Sequence, residues 1–396
     1  MPTMLERAES HGLPVHLLDL ENDERLAADP FGVWDEMTKV APLFYSPANR
    51  GFLVASDFDT IKTVLRDAKT WANLPTTIVY TKEQVLMNTP PISMDPPVHT
   101  KFRRALIPLF APNEVTPLEP RIHEITHRLI DEMLTKPDPD YIRDFSSQLP
   151  ARFFLGWLGL GDDDVSRMYQ LAQRATFEFE DQAKRDAVEH EIGEIVGNLF
   201  RARKEHPQDD LASKMLAMEI DGEPIDVDLC IDIGRLAFIA GQDTTSTQLG
   251  YIMWHLARNP QDRAHMVARP ELTNDAVEEL TRYYNTGGPA GRIARQAGEL
   301  NGYPIEPGDR VFIARCGADR QFAPEVQLDR KPNRHTAFGL GIHRCLGSHV
   351  ARVEMEIALK VWHERIPEYR IADGFAPRHR YGSFMQQLTS LPLALG

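Results

Sequence analysis

The sequence contains few cysteines and no long apolar run, and each shortage excludes a class of protein. Its three cysteines, at positions 230, 316 and 345, are an odd number without framework spacing. They argue against a disulfide-rich secreted scaffold and fit a reducing compartment. No apolar run reaches the roughly 18 residues that a membrane-spanning helix needs, so we expect no membrane anchor. The N-terminal residues lack the charged-then-apolar pattern of a secretory signal, and we expect a cytoplasmic protein.

Basic residues are outnumbered as well. Lysine and arginine total 44 against 58 aspartates and glutamates, a formal net charge of -14. Nucleic-acid binding needs a basic surface, so this balance argues against it. The sequence also lacks a Gly/Ser-rich linker, a block of like charge and an internal repeat, and its 29 prolines are scattered. We therefore expect one domain over residues 1–396, acting as a monomer.

Helical periodicity dominates the middle of the chain. Successive amphipathic segments fill residues 112–268, and the last of them, 226–258, is apolar on nearly all sides and is predicted to cross the core. Short β-type runs with turn residues between them occupy 41–56 and 300–314, and a last extended segment ends the chain. The irregular stretch 73–94 is typical of a binding loop. The sequence predicts a mainly α fold, one large helical domain with a smaller β-rich subregion.

The most informative segment is FGLGIHRCLG, residues 338–347. Its glycines allow a tight bend against a flat ligand, and Cys345 is predicted to stand at the first turn of the apolar-periodic helix that follows. Helix-terminal amides lower a thiol pKa and stabilise thiolate, which is a good axial ligand for haem iron. The alternative is a buried structural cysteine, the usual state of a lone Cys.

A second anomaly lies inside the long apolar helix, in AGQDTT at 240–245. Asp243, Thr244 and Thr245 interrupt an apolar segment directly after Ala240 and Gly241. A buried carboxylate beside two hydroxyls is costly unless it has partners or a task. One interpretation is a helix kink stabilised by these side chains, and the other is proton transfer.

These two segments, together with Glu279-Leu280-Thr281-Arg282, resemble the cytochrome P450 family of haem-thiolate monooxygenases, from about residue 30 to the C-terminus. Within it, EIDGEPI, SMDPPVHTKFRR, GRIARQ and ERIPEYRI are similar to the camphor- and terpenoid-hydroxylating branch. The resemblance implies the P450 fold, haem b on Cys345, and O2 as co-substrate. It also implies that Asp243 and Thr244 deliver protons during oxygen activation, which favours O2 over peroxide as oxidant.

The resemblance further implies two sets of residues around the cofactor. Glu279, Arg282 and Arg330 would brace the loop on the thiolate side, although Val326-Gln327 replaces the usual aspartate and aromatic residue before Arg330. The haem propionates would be bound by His99, Arg103, Arg292 and His343. The expected cofactor-binding residues are His99, Arg103, Ala240, Gly241, Arg292, Phe338, Gly339, His343, Cys345 and Gly347, with Cys345 as the metal ligand.

Several segments occupy positions that line the substrate pocket in this family. Their residues predict a mostly apolar pocket wall. Ordinary core packing is the alternative for each of these residues. The small residues at 288–290 leave room for a terpenoid-like or aromatic molecule other than camphor. The expected pocket residues are Ile78, Val79, Leu86, Phe177, Leu236, Ile239, Ala240, Thr244, Gly288, Pro289, Phe384 and Met385.

No GxGxxG motif follows a predicted strand, so electrons are expected from a separate 2Fe–2S ferredoxin with its NAD(P)H-dependent reductase. A basic patch near the cysteine loop would receive this partner. Its expected members are Lys62, Arg66, Lys101, Arg104 and Arg344. Two alternatives stay open: a peroxide-dependent or rearranging haem-thiolate enzyme, and a haem-binding sensor without turnover.

Overall fold

The computed structural model describes residues 2–73, 90–161, 165–177, 182–287, 290–381 and 385–395. Helices form most of this part of the chain. They are α1 (Met4–Ser10), α2 (Arg25–Ala28), α3 (Pro30–Met37), α4 (Phe58–Arg66), α5 (Val98–Leu106), α6 (Pro112–Val115), α7 (Glu119–Leu134), α8 (Gln148–Leu158), α9 (Val165–Phe177), α10 (Gln182–Glu205), α11 (Leu211–Leu216), α12 (Val227–Ala240), α13 (Asp243–Arg258), α14 (Pro260–Ala268), α15 (Thr273–Tyr283), α16 (Arg315–Phe322) and α17 (Ser348–Arg365).

The strands are short. They are β1 (Leu43–Ser46), β2 (Phe52–Ala55), β3 (Trp71–Ala72), β4 (Glu219–Ile220), β5 (Glu223–Pro224), β6 (Gly291–Ala294), β7 (Gly298–Leu300), β8 (Tyr303–Ile305), β9 (Arg310–Ile313), β10 (Tyr369–Ile371), β11 (His379–Tyr381), β12 (Gln386–Leu388) and β13 (Leu393–Leu395). The largest sheet has the order β1-β2-β9-β6-β3, and four two-stranded sheets pair β4 with β5, β7 with β8, β10 with β13 and β11 with β12.

The N-terminal hairpin expected from the sequence is present. β1 and β2 pair antiparallel with Leu43 opposite Ala55, and the turn between them holds Asn49, Arg50 and Gly51 at positive φ. β2 then pairs parallel with β9, which joins the hairpin to a strand more than 250 residues later in the chain. The side chains of this sheet enclose a small apolar core of their own, beside the much larger core of the helices.

Two segments are interrupted by turns in the structure. The segment after the hairpin forms α4, with the Asp57 side chain capping its start through the amide of Thr60, and this helix stops at Arg66. There the Asp67 carboxylate accepts the amides of Lys69 and Thr70, a turn that releases the chain into β3. The final segment likewise forms two short strands, β12 and β13, which pair with different partners.

The long helix predicted for 226–258 is divided at Gly241. Asp226 caps the start of α12 through the amides of Asp228 and Leu229, and α12 ends at Ala240. α13 starts at Asp243 and is buried almost throughout its length. A β-carbon at Gly241 would lie 2.4 Å from Cδ1 of Phe154, so this ring occupies the space that a side chain would need. Among the described residues, no helix is long and apolar enough to cross a membrane.

Gly241→Ala tests this packing. We expect the substitution to lower the free energy of unfolding by about 1–3 kcal/mol, because the added methyl overlaps the Phe154 ring on α8. Adding Phe154→Ala should recover part of the loss in a double-mutant cycle, measured by urea denaturation. Gly298→Ala is the matched control, since its nearest neighbour would be Thr70 at 3.6 Å. Equal effects at positions 241 and 298 would contradict the steric explanation.

Candidate active site

A cavity of about 410 Å³ lies between the break in the long helix and the cysteine loop. Ala240 and Thr244 line it from the helical side and are exposed. Cys345 opens into the same cavity from the opposite wall, and His99 of α5 and Arg292 of β6 line its edge. The structure therefore brings residues from four distant segments of the chain to one enclosed space.

The cysteine loop takes its shape from two glycines. Gly339 and Gly341 have φ values of 68° and 69°, which L side chains rarely adopt, and a β-carbon at Gly341 would lie 2.2 Å from the carbonyl oxygen of Leu65. The Cys345 amide donates to the Phe338 carbonyl at 2.7 Å and closes the loop. The thiol is thus presented to the cavity by backbone bonds alone.

The pKa of the Cys345 thiol is raised, whereas the sequence predicted a lowered pKa. α17 begins at Ser348, three residues after the cysteine, and the Gly347 amide bonds to the sulfur and favours thiolate. Burial is the larger effect, however, and it raises the pKa of the Cys345 thiol above its usual value despite Arg103, Arg344 and Arg352 nearby. The helix-terminal amides therefore do not offset burial at this thiol, and a bound metal cation would favour the thiolate.

The cavity edge holds polar donors that lack partners. His99 has neither ring nitrogen bonded among the described residues, and its ring centroid lies 4.3 Å from that of His343. His343 Nε2 is 4.0 Å from the Asp95 carboxylate, beyond hydrogen-bond distance. Burial lowers the pKa of His99 to about 4, and Arg103 uses one guanidinium nitrogen for the carbonyl of Arg344. Such buried donors are normally satisfied, so a ligand with anionic oxygens fits here.

These features meet the requirements of haem. A thiol faces the cavity at its centre, the loop glycines leave room for a flat ring, and unpartnered nitrogens at the edge match two carboxylates. In the described chain, no group of three or more His, Cys, Asp or Glu residues forms a separate metal site. Of the ten residues proposed for the cofactor, all line this cavity.

The expected acid–base network lies behind the loop. Glu279 is fully buried, and Arg282 donates to both of its oxygens at 2.8 Å. Arg330 Nε donates to the same carboxylate at 3.0 Å. The backbone amide of Gln327 also bonds to it, at 2.8 Å, so the unusual Val326-Gln327 segment is still tied to α15. Glu279, Arg282 and Arg330 do not line the cavity. They hold the chain segment that leads into the cysteine loop.

Thr244 owes its position to the helix break. Its hydroxyl donates to the Ala240 carbonyl at 3.2 Å, and the Gln242 side chain donates to the Phe238 carbonyl at 2.6 Å. Side-chain donors therefore replace backbone amides at the end of α12. Because the Thr244 hydroxyl is anchored through its hydrogen, its lone pairs are available on the cavity side.

Asp243 points in the other direction, away from Thr244 and the cavity. Its carboxylate accepts from Gln173 Nε2 at 2.6 Å and from the Thr176 hydroxyl at 2.8 Å, both on α9. Burial raises its pKa to about 6. Gln173 also donates to the Tyr169 hydroxyl at 2.9 Å, and both side chains line a separate polar cavity of about 570 Å³ whose wall includes Arg143 and Arg152. Asp243 is thus placed between the two cavities.

The proposed substrate residues divide into three groups. Leu236, Ala240, Thr244 and Met385 line the main cavity. Phe177 and Ile239 do not: both are buried in the core, with Arg380 over the Phe177 ring at 4.3 Å. Helical position alone did not distinguish a cavity-facing residue from its core-facing neighbour. The remaining proposed residues lie outside the described ranges, and they are Ile78, Val79, Leu86, Gly288, Pro289 and Phe384.

Sequence reasoning missed several polar residues at the cavities. Arg315 and Glu354 both line the main cavity, Glu354 is buried, and one of its carboxylate oxygens lacks a partner among the described residues. Burial raises the pKa of Glu354 well above its usual value. Gln173 and Thr176, which donate hydrogen bonds to Asp243, were missed too. A charged residue inside an apolar-periodic segment was the one available signal, and Glu354 in α17 carried it.

Comparisons with known proteins agree with this geometry. The family model for cytochrome P450 matches residues 165–361. Mycinamicin IV hydroxylase/epoxidase of Micromonospora griseorubida is 34% identical over 71% of this chain and 73% of its own length. Probable cytochrome P450 127A1 of Sinorhizobium fredii is 33% identical over 85% of this chain and 83% of its own. The crystal structure of CYP101J2 covers 97% of this chain and 98% of its own, with TM-score 0.87 and 28% identity.

Asp243→Asn tests the electrostatics of the buried carboxyl. As pH rises through about 6, the folded wild type must ionise a group that the unfolded chain ionises near 3.8, so the wild type loses stability that the amide variant keeps. We expect the free energy of unfolding of the variant, relative to wild type, to increase by about 1–1.5 kcal/mol between pH 5 and pH 8. Urea titrations at both pH values measure this change.

Thr244→Ala is the control, because it alters the neighbouring residue without a titratable group. Its stability relative to wild type should be the same at both pH values. A difference between Asp243→Asn and wild type that does not change with pH would contradict the raised pKa.

Proposed function

The chain belongs to the cytochrome P450 family, and on this premise we propose that it inserts one atom of O2 into an apolar small molecule with electrons from a ferredoxin. Its fold is the P450 fold, and it is a P450 monooxygenase with haem b as cofactor and O2 as co-substrate. The observation that carries the proposal is a single cavity with the Cys345 thiol on one wall and Thr244, beside the helix break, on the other.

Each proposed haem contact has a separate role. Cys345 would hold the iron, and the glycines at 339 and 341 keep the loop clear of the ring. His99, Arg103, Arg292 and His343 would pair with the carboxylates. When bound, haem b supplies the iron at which O2 is activated and from which one oxygen atom passes to the substrate.

Proton delivery would use the residues at the helix break. Asp243, with a pKa raised to about 6, would exchange protons near neutral pH with water in the outer polar cavity, whose wall includes its hydrogen-bond partner Gln173 and the neighbouring Tyr169. Because the carboxylate points toward α9, a rotation of its side chain or an intervening water is needed to reach the main cavity. There the Thr244 hydroxyl would accept and orient the proton donor.

The cavity wall supports an apolar substrate. On the helical side it consists of Ile233, Leu236, Ala237 and Ala240, and Met385 and Ala290 continue it. One relative is named for hydroxylation and epoxidation of mycinamicin IV, and a structural neighbour at 27% identity holds mycinamicin V. CYP101C1, at TM-score 0.88 and 28% identity, belongs to the camphor-type branch. A terpenoid-like or aromatic molecule is the substrate class that we propose.

The peroxide-dependent or rearranging alternative and the haem-binding sensor are less favoured. Both would leave the acid–alcohol pair without a task, although Asp243 costs stability in its buried position. A carrier needs no proton route, and here Gln173 and Tyr169 connect Asp243 to a polar cavity.

The basic patch supports a ferredoxin partner. α4, with Lys62 and Arg66, packs against the turn at Gly341–His343, and Arg103 bonds to the carbonyl of Arg344. Arg66, Arg104 and Arg344 are exposed beside the cysteine loop. Lys101 is partly neutralised, since it forms an ion pair with Asp221. An acidic surface of the ferredoxin would be complementary to these positive charges on the thiolate side of the haem.

Spectroscopy and isotope labelling test the proposed function. The reduced carbon monoxide complex of the haem-loaded protein should have a strongly red-shifted Soret band, which Cys345→Ser should abolish because serine gives no thiolate. Turnover with ferredoxin, reductase and isotopically labelled dioxygen should place one labelled atom in the product. Product oxygen that comes from peroxide or water instead would reject monooxygenation while leaving thiolate ligation intact.

Charge reversal tests the partner surface. Arg344→Glu should slow reduction by ferredoxin roughly tenfold at low ionic strength, with a smaller effect at high salt, because exposed charges act mainly on the association rate. Stopped-flow reduction measures this rate. Lys204→Glu, an exposed reversal on α10, is the matched control and should leave it unchanged. Equal rates for wild type and Arg344→Glu, with normal dithionite reduction in both, would contradict this docking site.

A further inference from the structure

Two buried tyrosines stack behind the wall of the main cavity. The rings of Tyr251 on α13 and Tyr284, directly after α15, have centroids 6.0 Å apart and an interplanar angle of 4°. Gln248 and Thr281 line the cavity. Each precedes one of the tyrosines by three residues, an axial rise of about 4.5 Å in a helix. The stacked pair therefore lies about one helical turn from the space proposed for haem.

Each tyrosine hydroxyl is bonded to a buried histidine. The Tyr284 hydroxyl lies 2.9 Å from Nδ1 of His255, and the Tyr251 hydroxyl lies 3.0 Å from Nδ1 of His379. Burial lowers the pKa of both histidines, to about 4 for His379, so each imidazole is neutral near pH 7 and has one nitrogen without a proton. Burial raises the pKa of both phenols. The two hydroxyls thus stay protonated beside neutral imidazoles.

The neighbours of His255 show which of its nitrogens accepts. Nε2 lies 2.8 Å from the Asp262 carboxylate, an acceptor, so Nε2 carries the hydrogen. The side-chain nitrogen of Asn259, which donates to the His255 carbonyl at 2.8 Å, lies 3.3 Å from Nδ1. Nδ1 therefore accepts the Tyr284 hydroxyl. The Asp262 carboxylate would stabilise the imidazolium that forms when Nδ1 gains a proton.

We propose that Tyr284, with Tyr251 stacked on it, is a one-electron donor to the main cavity and that His255 accepts the phenol proton. The inference rests on the proposed function, because the oxidant is a haem in the cavity that has reacted with a peroxide. A phenol that loses an electron becomes a strong acid, and in a buried site its oxidation requires a base within hydrogen-bond distance. His255 supplies that base.

The electron and the proton leave Tyr284 in different directions. Reaction of a peroxide with the haem, when no substrate takes the oxygen atom, leaves oxidising equivalents in the cavity. One electron passes from Tyr284 to the haem, which is reduced by one equivalent. The phenol O–H bond breaks, the proton moves to His255 Nδ1, and a neutral tyrosyl radical remains beside an imidazolium.

A dissolved reductant can restore the pair. The Asp262 side chain is partly exposed, so this network extends from the stacked rings to the protein surface. Ascorbate would give up one electron to the radical and release its own proton to solvent, while the Tyr284 proton returns from His255. The pair would thereby protect the haem and the cavity wall from oxidation in the absence of substrate.

Rapid freeze-quench electron paramagnetic resonance tests the electron donor. The haem-loaded wild type, mixed with peracetic acid without substrate, should form a tyrosyl radical. The double variant Tyr251→Phe, Tyr284→Phe keeps both rings and should lose most of this signal. Tyr369→Phe is the matched control: its hydroxyl lies 2.9 Å from His363 Nε2, but His363 follows the cavity-lining Met355 on α17 by more than two helical turns. This variant should keep the wild-type signal.

His255→Gln tests the proton acceptor. An amide oxygen accepts a hydrogen bond but is too weak a base to take the phenol proton, so the radical yield should fall although both tyrosines are present. Haem survival is the second readout, measured as the loss of Soret absorbance with each addition of peracetic acid. The double variant and His255→Gln should bleach faster than wild type and Tyr369→Phe. Circular dichroism and melting temperatures establish that each variant is folded.

A wild-type radical yield in the double variant would overturn the proposal, and so would an equal loss of signal in Tyr369→Phe. An unchanged yield in His255→Gln would reject His255 as the base. These measurements need neither ferredoxin nor substrate. Labelled product from dioxygen without a tyrosyl radical would therefore reject this inference alone, and a radical with product oxygen from peroxide or water would reject monooxygenation alone.

Discussion

The buried Glu279 carboxylate is the interaction on which the site most depends. It receives bonds from Arg282, Arg330 and the Gln327 amide, at 2.8–3.0 Å, and so ties α15 to the chain that leads into the cysteine loop. Its ionised form is stabilised by these donors despite burial, and its pKa is lowered. Removing any one partner would leave charge uncompensated in the interior, which typically costs several kcal/mol.

Two further carboxylates extend this support. Glu278 accepts from His335 and Arg352 at 3.0 Å, which joins α15 to the loop and to α17, and these bonds lower its pKa to about 2. Asp319 of α16 accepts the Thr336 amide at 2.8 Å. The segment from 327 to 336 forms no strand or helix, so its backbone amides need other acceptors. Acidic side chains on neighbouring helices supply them and thereby set the position of Cys345.

The charged groups behind the cysteine loop differ from those at the cavity edge in whether they have partners. Behind the loop, acidic and basic groups satisfy one another within the protein. At the cavity, His99 is a buried donor without a partner among the described residues, Arg292 has one hydrogen bond, to the Gly291 carbonyl, and Cys345 has a pKa raised by burial. A fold tolerates such groups only where a ligand completes them, since each costs stability in the empty state. Haem, with its two carboxylates, would supply the acceptors that these buried donors lack.

Local signals in the sequence were sufficient for the cysteine loop, the N-terminal hairpin and the acid–alcohol pair, because glycine, turn and capping preferences act over a few residues. The sequence by itself thus determined which residues are the candidates for the chemistry. Only the tertiary structure decided that the Phe154 ring fills the space beside Gly241, that Asp243 faces α9, that burial raises the Cys345 pKa, and that Arg315 reaches the cavity. Each of these depends on the packing of segments far apart in the chain, which sets burial and therefore the cost of every charge.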